Sequence, residues 1–181
     1  MKSRNYRVEL RDLAVLSLFG ALMVVSDQLM NALPNIHLIA MFIILLTRFY
    51  RVKALYAIYV FVIADGLIEG FFLSTWFMYA YIWLILWLWV MLLPRELSEK
   101  KEMIVYPLLG ALHGILFGVL GAPASYFLYF GKETWSFSHF GAYLLAGLPF
   151  DLVHMAGNFA ACLLCAPLLK LLRNLRKKNL I

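Results

Sequence analysis

The sequence predicts an all-α, polytopic membrane protein: one domain over residues 1–181, folded as a bundle of six transmembrane helices with both termini cytoplasmic. Three observations lead there. Hydrophobic residues make up 64% of the chain and charged ones 14%, against roughly a quarter charged in soluble domains, and the mean hydropathy is +0.84. Apolar runs near the length that crosses a bilayer, about 20 residues, recur along the chain. The cations are confined to the segments that join alternate runs, where the positive-inside rule puts them on one side.

Taken in order, the spans are 12–33, 35–50, 53–73, 75–94, 103–128 and 149–172. The first follows the basic "MKSRNYRVELRD" and lacks an A-x-A cleavage pattern, so it reads as a retained span rather than a signal peptide. The second has only ten residues between His37 and Arg48 and crosses only if Arg48 and Arg51 snorkel into the headgroups. The third, starting at Lys53, carries Asp65 and Glu69. The fourth is the clearest, because "FFLSTWFMYAYIWLILWLWVMLLP" holds no charge. Span five places Gly110, Gly114 and Gly118 on one stripe, which lets a neighbouring backbone come close. Span six starts at Pro149, a residue suited to a first helical turn.

Arg and Lys fall at 2, 4, 7 and 11, at 48, 51 and 53, at 95, 100 and 101, and at 170, 173, 176, 177 and 178, with Lys132 alone in a loop of the opposite set. With six spans, the four basic segments share the cytoplasmic side. The net charge of +6 therefore calls for no nucleic acid partner, and the C-terminal "KLLRNLRKKN" reads as a lipid-facing or partner-facing end. Cys162 and Cys165, without further thiols or histidines beside them, are packing residues rather than a disulfide framework or metal knuckle. A P-loop, an H-E-x-x-H helix, a G-x-S-x-G elbow and a row of voltage-sensing arginines are all absent, as are inverted repeats with broken helices.

Counting 1.5 Å per residue from the cytoplasmic edge, Asp27 lies about 24 Å from Arg11, Glu69 about 24 Å from Lys53 and Asp151 about 28 Å from Lys170. All three reach the outer third. Asp65 is nearer the middle; Asn31, Asn35 and His37 flank the first outer turn; Tyr79, Tyr81 and Trp83 occupy the outer half of span four; Tyr126 and Tyr129 close span five; His113 and Asn158 lie near the midplane. A carboxylate in the bilayer costs on the order of 3 kcal/mol, so acids on several helices need a shared hydrated or protein-lined environment. The pairs Asp27/Asn31, Asp65/Glu69 and Asp151/His154 sit three or four residues apart, so each helix can turn its pair inward. The candidate lining of an outward-facing pocket is thus Asp27, Asn31, His37, Asp65, Glu69, Tyr79, Tyr126, Asp151, His154 and Asn158.

Other roles stand beside these. Asp151, two residues after Pro149, also suits a helix N-cap; His154 can bond Asp151 or a neighbouring helix; Asn158 can be interhelical glue. Asp65 and Glu69 can pair across helices with His113; the terminal aromatics suit an interface belt, and His139 a solvated loop. On span one, Ser17 and Ala21 form a small-x-x-x-small pair with Ala14 a turn earlier, a patch for a helix of this chain or of a second protein.

The segments "SLFGALMVVSDQLMNALPNIHLIAMFIILLTRFYRVKALYAIYVFVIADGL" and "AGLPFDLVHMAGNFAACLLCAPLLKLLR" resemble the substrate-binding S component of energy-coupling factor (ECF) transporters, the bacterial vitamin importers, over nearly the whole chain. The resemblance implies a non-enzymatic transport subunit of the bacterial plasma membrane that binds no cofactor of its own. It would hold a vitamin on the outer side beneath the first loop. Its partners would be an ECF module of one transmembrane coupling protein and two ATPases, which topples the subunit to release the vitamin inward. The family docks through an alanine-x-x-x-alanine patch on the first helix, matched here by Ser17 and Ala21 with Ala14 adjoining; Ser17 departs from that pattern. "PNIHLIAMFI" and "GLPFDLVHMAGNF" are most similar to the cobalamin-associated branch, in which His37 or His154 would stand near cobalt. A thiamine-like or other aminated heterocycle is the competing substrate. A non-transporting membrane scaffold and an intramembrane enzyme using His113, His154 and a carboxylate are the readings from other classes.

Overall fold

The computed structural model describes residues 10–71, 73–130 and 135–178, without the side chains of 73–75, 127, 129 and 130. The cations at 2, 4 and 7, Lys132 and the Tyr129 side chain lie outside the described residues. Leu- and Ala-rich runs, interrupted only where Gly, Pro or a polar turn stops them, become seven α-helices among the described residues. They are α1 (Leu10–Met30), α2 (Ile39–Tyr50), α3 (Ala54–Glu69), α4 (Leu73–Leu92), α5 (Glu99–Phe130), α6 (Phe137–Cys162) and α7 (Cys165–Lys177), with a 3-10 turn at Arg51–Lys53. No strand occurs among the described residues.

Three stretches are long and apolar enough to cross a membrane: Leu10–Met30, Glu99–Tyr126 and the rod Phe137–Lys177; Trp76–Leu92 is a shorter apolar helix. The chain is by this measure a membrane protein. α2, with 12 residues, and α3, with 16, are shorter than the six-span reading expects. At 1.5 Å per residue α2 is only about 18 Å long. It stands in the middle of the bundle, with every residue but Phe49 buried, so its neighbours rather than lipid surround it.

The last span differs most from expectation. The helix begins twelve residues before Pro149, capped by Ser136, whose hydroxyl accepts the His139 N–H at 3.1 Å. Asp151 is therefore a mid-helix residue and not an N-cap. The helix breaks instead at Leu163 and Leu164, where the backbone bonds tighten to i−3. Pro167 lies four residues after Leu163, and its ring and missing N–H disfavour a regular turn there.

α5 and α6 pack by backbone approach along the glycine stripe. A β-carbon at Gly110 would meet Cys162 Sγ and the Asn158 carbonyl, and one at Gly114 would lie 2.8 Å from the His154 carbonyl and Met155 backbone. Gly118 faces the Asp151 carboxylate. α1 uses a glycine that the pattern reading passes over, since Gly20 lies against Val60 and the Ala57 carbonyl of α3. Ala14 and Ala21 are exposed and Ser17 half-buried, so the small-residue patch of α1 points away from that contact.

The basic segments converge at one end. Arg48 is buried; its guanidinium donates to Tyr106 Oη (2.8 Å) and to the Pro94 and Arg95 carbonyls (both 2.9 Å). Tyr106 donates to Glu102, 1% exposed, which also receives both terminal nitrogens of Arg173 (2.8 and 3.2 Å). Asp12 meets Lys53 and Arg176, and Lys170 meets Glu99. Arg48 thus folds into the protein rather than snorkelling, because three protein acceptors, the Tyr106 hydroxyl and the Pro94 and Arg95 carbonyls, hold its guanidinium. Three cations of the C-terminal helix are likewise spent on internal acids.

Gly114→Leu should destabilise the fold by about 1–3 kcal/mol by forcing α5 from α6, whereas Gly141→Ala, a helical position whose β-carbon meets nothing, should stabilise it by up to about 1 kcal/mol; thermal melts of the detergent-purified protein report both. In the same assay Glu102→Gln should cost about 3 kcal/mol, because it strips a buried carboxylate from two arginine-linked helices.

Candidate functional site

At the opposite end two cavities adjoin. The first, about 210 Å³, is lined by Asp27 and Gln28 of α1, Asp65, Gly66 and Glu69 of α3, Phe71, Trp76 and Tyr79, with Asn31 at its edge. The second, about 150 Å³, lies under the α1–α2 loop and is lined by residues that include Asn31, Pro34, Asn35, His37, Phe117 and His154. Asp27, Asn31 and Tyr79 belong to both walls.

Local geometry explains how the acids meet. Asp65 and Glu69 sit on one face in the last turn and a half of α3, which stops at Gly70 (φ 89°) with its N–H on the Gly66 carbonyl. Phe71 follows at φ 44°, a left-handed conformation unfavourable for a residue with a β-carbon, and packs its ring on Gly66 and edge-on to Trp76 (5.4 Å). Across from it Gln28 donates to Glu69 at 2.9 Å, tying α1 to α3. Asp65 is 6% exposed, and its Oδ1 has no partner; neither has Trp76 Nε1. The ion pairs formed among the described residues all lie at the basic end, so no Lys or Arg neutralises Asp27, Asp65 or Glu69.

Below the acids lies a stack of rings. His37 stands 4.6 Å from His154 and 5.6 Å from Trp83; His154 is also 4.6 Å from Phe117. Trp83, 1% exposed, touches Tyr79, Phe61 and His113. His37 Nδ1 and His154 Nε2 are buried without partners. Among the described residues no three His, Cys, Asp or Glu side chains gather as a metal site.

Seven of the sequence candidates line these cavities: Asp27, Asn31, His37, Asp65, Glu69, Tyr79 and His154. Three do not. Asp151 faces α5, accepts the Gly118 N–H at 3.0 Å and borders a separate groove with Tyr143 and Phe150. Asn158 is fully buried beside Gly110, its amide unpartnered. Tyr126 is fully buried and bonds His139 Nδ1 at 2.8 Å, so that histidine is engaged rather than merely solvated. His113 meets the Ile82 carbonyl at 3.3 Å instead of Asp65 or Glu69. Span-six spacing put Asp151, His154 and Asn158 on one face correctly, but that face looks at the glycine stripe, and only His154 reaches past it.

Sequence reading passes over Gln28, Phe71, Trp76 and Phe117. Gln28 had a usable signal, a second polar residue beside Asp27 in an apolar helix. The aromatics had none, because an aromatic in an apolar span looks the same whether it packs or lines a void.

No family model, no curated protein and no solved structure matches this chain.

Asp151→Ala should loosen the α5–α6 pair by about 1–3 kcal/mol through loss of a charged acceptor for a backbone N–H, and leave any ligand affinity of the cavities within about twofold of wild type; melts and isothermal titration calorimetry separate the two effects.

Proposed function

We propose that this chain is the substrate-binding S component of an ECF-type vitamin importer, a single six-span domain of the bacterial plasma membrane with cytoplasmic termini, and that its ligand is a small aminated, cationic heterocycle. One observation carries the ligand class: Asp27, Asp65 and Glu69 line one cavity with Trp76, Tyr79 and Phe71, and no basic side chain offsets them. Like charges held together in a site of low dielectric are relieved by a cation, and aromatic faces add cation–π attraction to a flat ring. Asp65 Oδ1 and Trp76 Nε1 lie buried beside that cavity without partners of their own.

The void argues against cobalamin. Cavities of about 210 and 150 Å³ fall below the usual 300–1,000 Å³ of a drug-sized pocket, and a corrin is larger than a drug-sized ligand. Their volumes favour a smaller heterocycle. The convergence of basic segments at one end and acids at the other supports six alternating crossings with the cations inside. The open face bearing Ala14, Ser17 and Ala21 supports docking of a coupling protein there. Ion pairs hold the inner end together, as suits a body that moves as one piece.

The purified chain should bind thiamine or a related aminated cation with a Kd of nanomolar order, about −12 kcal/mol, and cobalamin not measurably. Asp27→Asn and Asp65→Asn should each weaken binding at least about tenfold, which is about 1.4 kcal/mol. Affinity purification from the native membrane should bring down one integral membrane protein and two ATPases. Cytoskeletal partners without ligand binding would point to a scaffold, and turnover without an ATPase to an enzyme.

A further inference from the structure

At the basic end, beside the break between α6 and α7, a groove of about 320 Å³ runs against the start of α5. Its floor is apolar, made by Met103, Leu163, Ala166 and Pro167. Met103 and Leu163 are exposed, as are the adjacent Ile104, Leu108 and Leu164, so the groove continues a surface of the kind that meets lipid chains. Its rim is ionic. Glu102 and Arg173 form one pair, 2.8 Å apart, with the carboxylate 2% exposed; Glu99 and Lys170 form the other, 2.9 Å apart, with both side chains more than half exposed. The order along the two walls is the same. Glu99 lies one turn from Met103 on α5, and Lys170 seven residues, about 10 Å, from Leu163 along the rod, so charge gives way to hydrocarbon in step on both sides. That is the profile of the boundary between headgroups and acyl chains.

The two pairs differ in how firmly they are held. Glu102 is bonded by both terminal nitrogens of Arg173 and by Tyr106, and opening that pair would strand a buried charge. The exposed Glu99–Lys170 pair contributes little to the fold and gives way readily to an outside ion. An occupant of the groove therefore meets a carboxylate and an ammonium side by side above an apolar floor. A purely anionic headgroup would set a like charge beside Glu99, and a choline headgroup has no N–H to donate to it. A headgroup with both a phosphate and a primary ammonium complements the two. We propose that the groove holds one phosphatidylethanolamine molecule from the leaflet at the basic end. Its phosphate sits on Lys170, its ammonium on Glu99, and its glycerol and first acyl carbons on Met103, Leu163 and Pro167. The bound lipid braces α7 against α5 and is independent of whatever fills the acidic cavity.

The test extracts full-length protein from vesicles of equal parts phosphatidylethanolamine, phosphatidylglycerol and phosphatidylcholine and counts the retained lipid by native mass spectrometry. Wild type should keep one phosphatidylethanolamine, favoured about tenfold over either other lipid. Glu99→Gln and Lys170→Gln, both at exposed positions, should each abolish that preference while leaving the melting temperature in pure phosphatidylcholine unchanged. Lys101→Gln, which removes an exposed cation of α5 outside the groove lining, should leave the preference intact. Stronger retention of phosphatidylglycerol, equal retention of all three lipids, a preference that survives both rim variants, or one that Lys101→Gln also erases overturns the site in favour of a diffuse charged surface. Displacement of the lipid by free phosphoethanolamine, which shares the headgroup and covers none of the floor, overturns it as well. Retention of a protein subunit in place of any lipid overturns it in favour of a helix-binding groove.

Discussion

The cost of taking charge out of water organises this molecule, and its two ends meet that cost in opposite ways. A buried ion is tolerated when paired and hydrogen-bonded and is expensive when left alone. At the basic end the cost is met internally. Arg48, Tyr106, Glu102 and Arg173 form one connected chain from α2 through α5 to α7, and Asp12 gathers Lys53 and Arg176 from the turn after α2 and from α7. At the other end Asp27, Asp65 and Glu69 meet without a cation, and only a neutral amide, Gln28, bonds Glu69. One end is electrostatically closed, and the other holds its acids without a counter-cation.

The α5–α6 pair sets the geometry between those ends. Three glycines at four-residue spacing bring the backbones together, and the price in conformational entropy of placing glycine mid-helix is offset by the contact it permits. The face of α6 pressed on that stripe carries Asp151, His154 and Asn158, all buried. Each does something different there. Asp151 settles on a backbone N–H, Asn158 is enclosed, and His154 overlaps the α1–α2 loop, where His37 descends to meet it.

The cavity walls come from segments far apart in the chain, and two of them hold unfavourable backbone. Phe71 at φ 44° and Asn35 at φ 58° both sit where the chain turns over the cavities. Asparagine tolerates that region; phenylalanine does not, and its ring is kept there by Gly66 and Trp76. Strain of this kind persists only where surrounding contacts determine it, and here it shapes the rim of the acidic void. The short α2 contributes to the same result. Being enclosed on all sides, it need not match a bilayer, which leaves room above it for a loop to fold inward.

The helical membrane class and the helices up to α5 were legible in the sequence, because they rest on local quantities: run length and the period that puts Asp65 with Glu69 and Asp27 with Asn31 on common faces; the start of α6, twelve residues before Pro149, was not. The glycine stripe was legible for the same reason, but the pairing of Asp12, Glu99 and Glu102 with the cations at the basic end was not. Rotation of each helix about its axis was not. Whether the polar face of α6 looks into the cavity or at α5, whether Arg48 reaches lipid or Tyr106, and whether Tyr126 lines a void or bonds His139 depend on which neighbour comes closest. Periodicity says which residues share a face; packing against other helices alone decides where that face points.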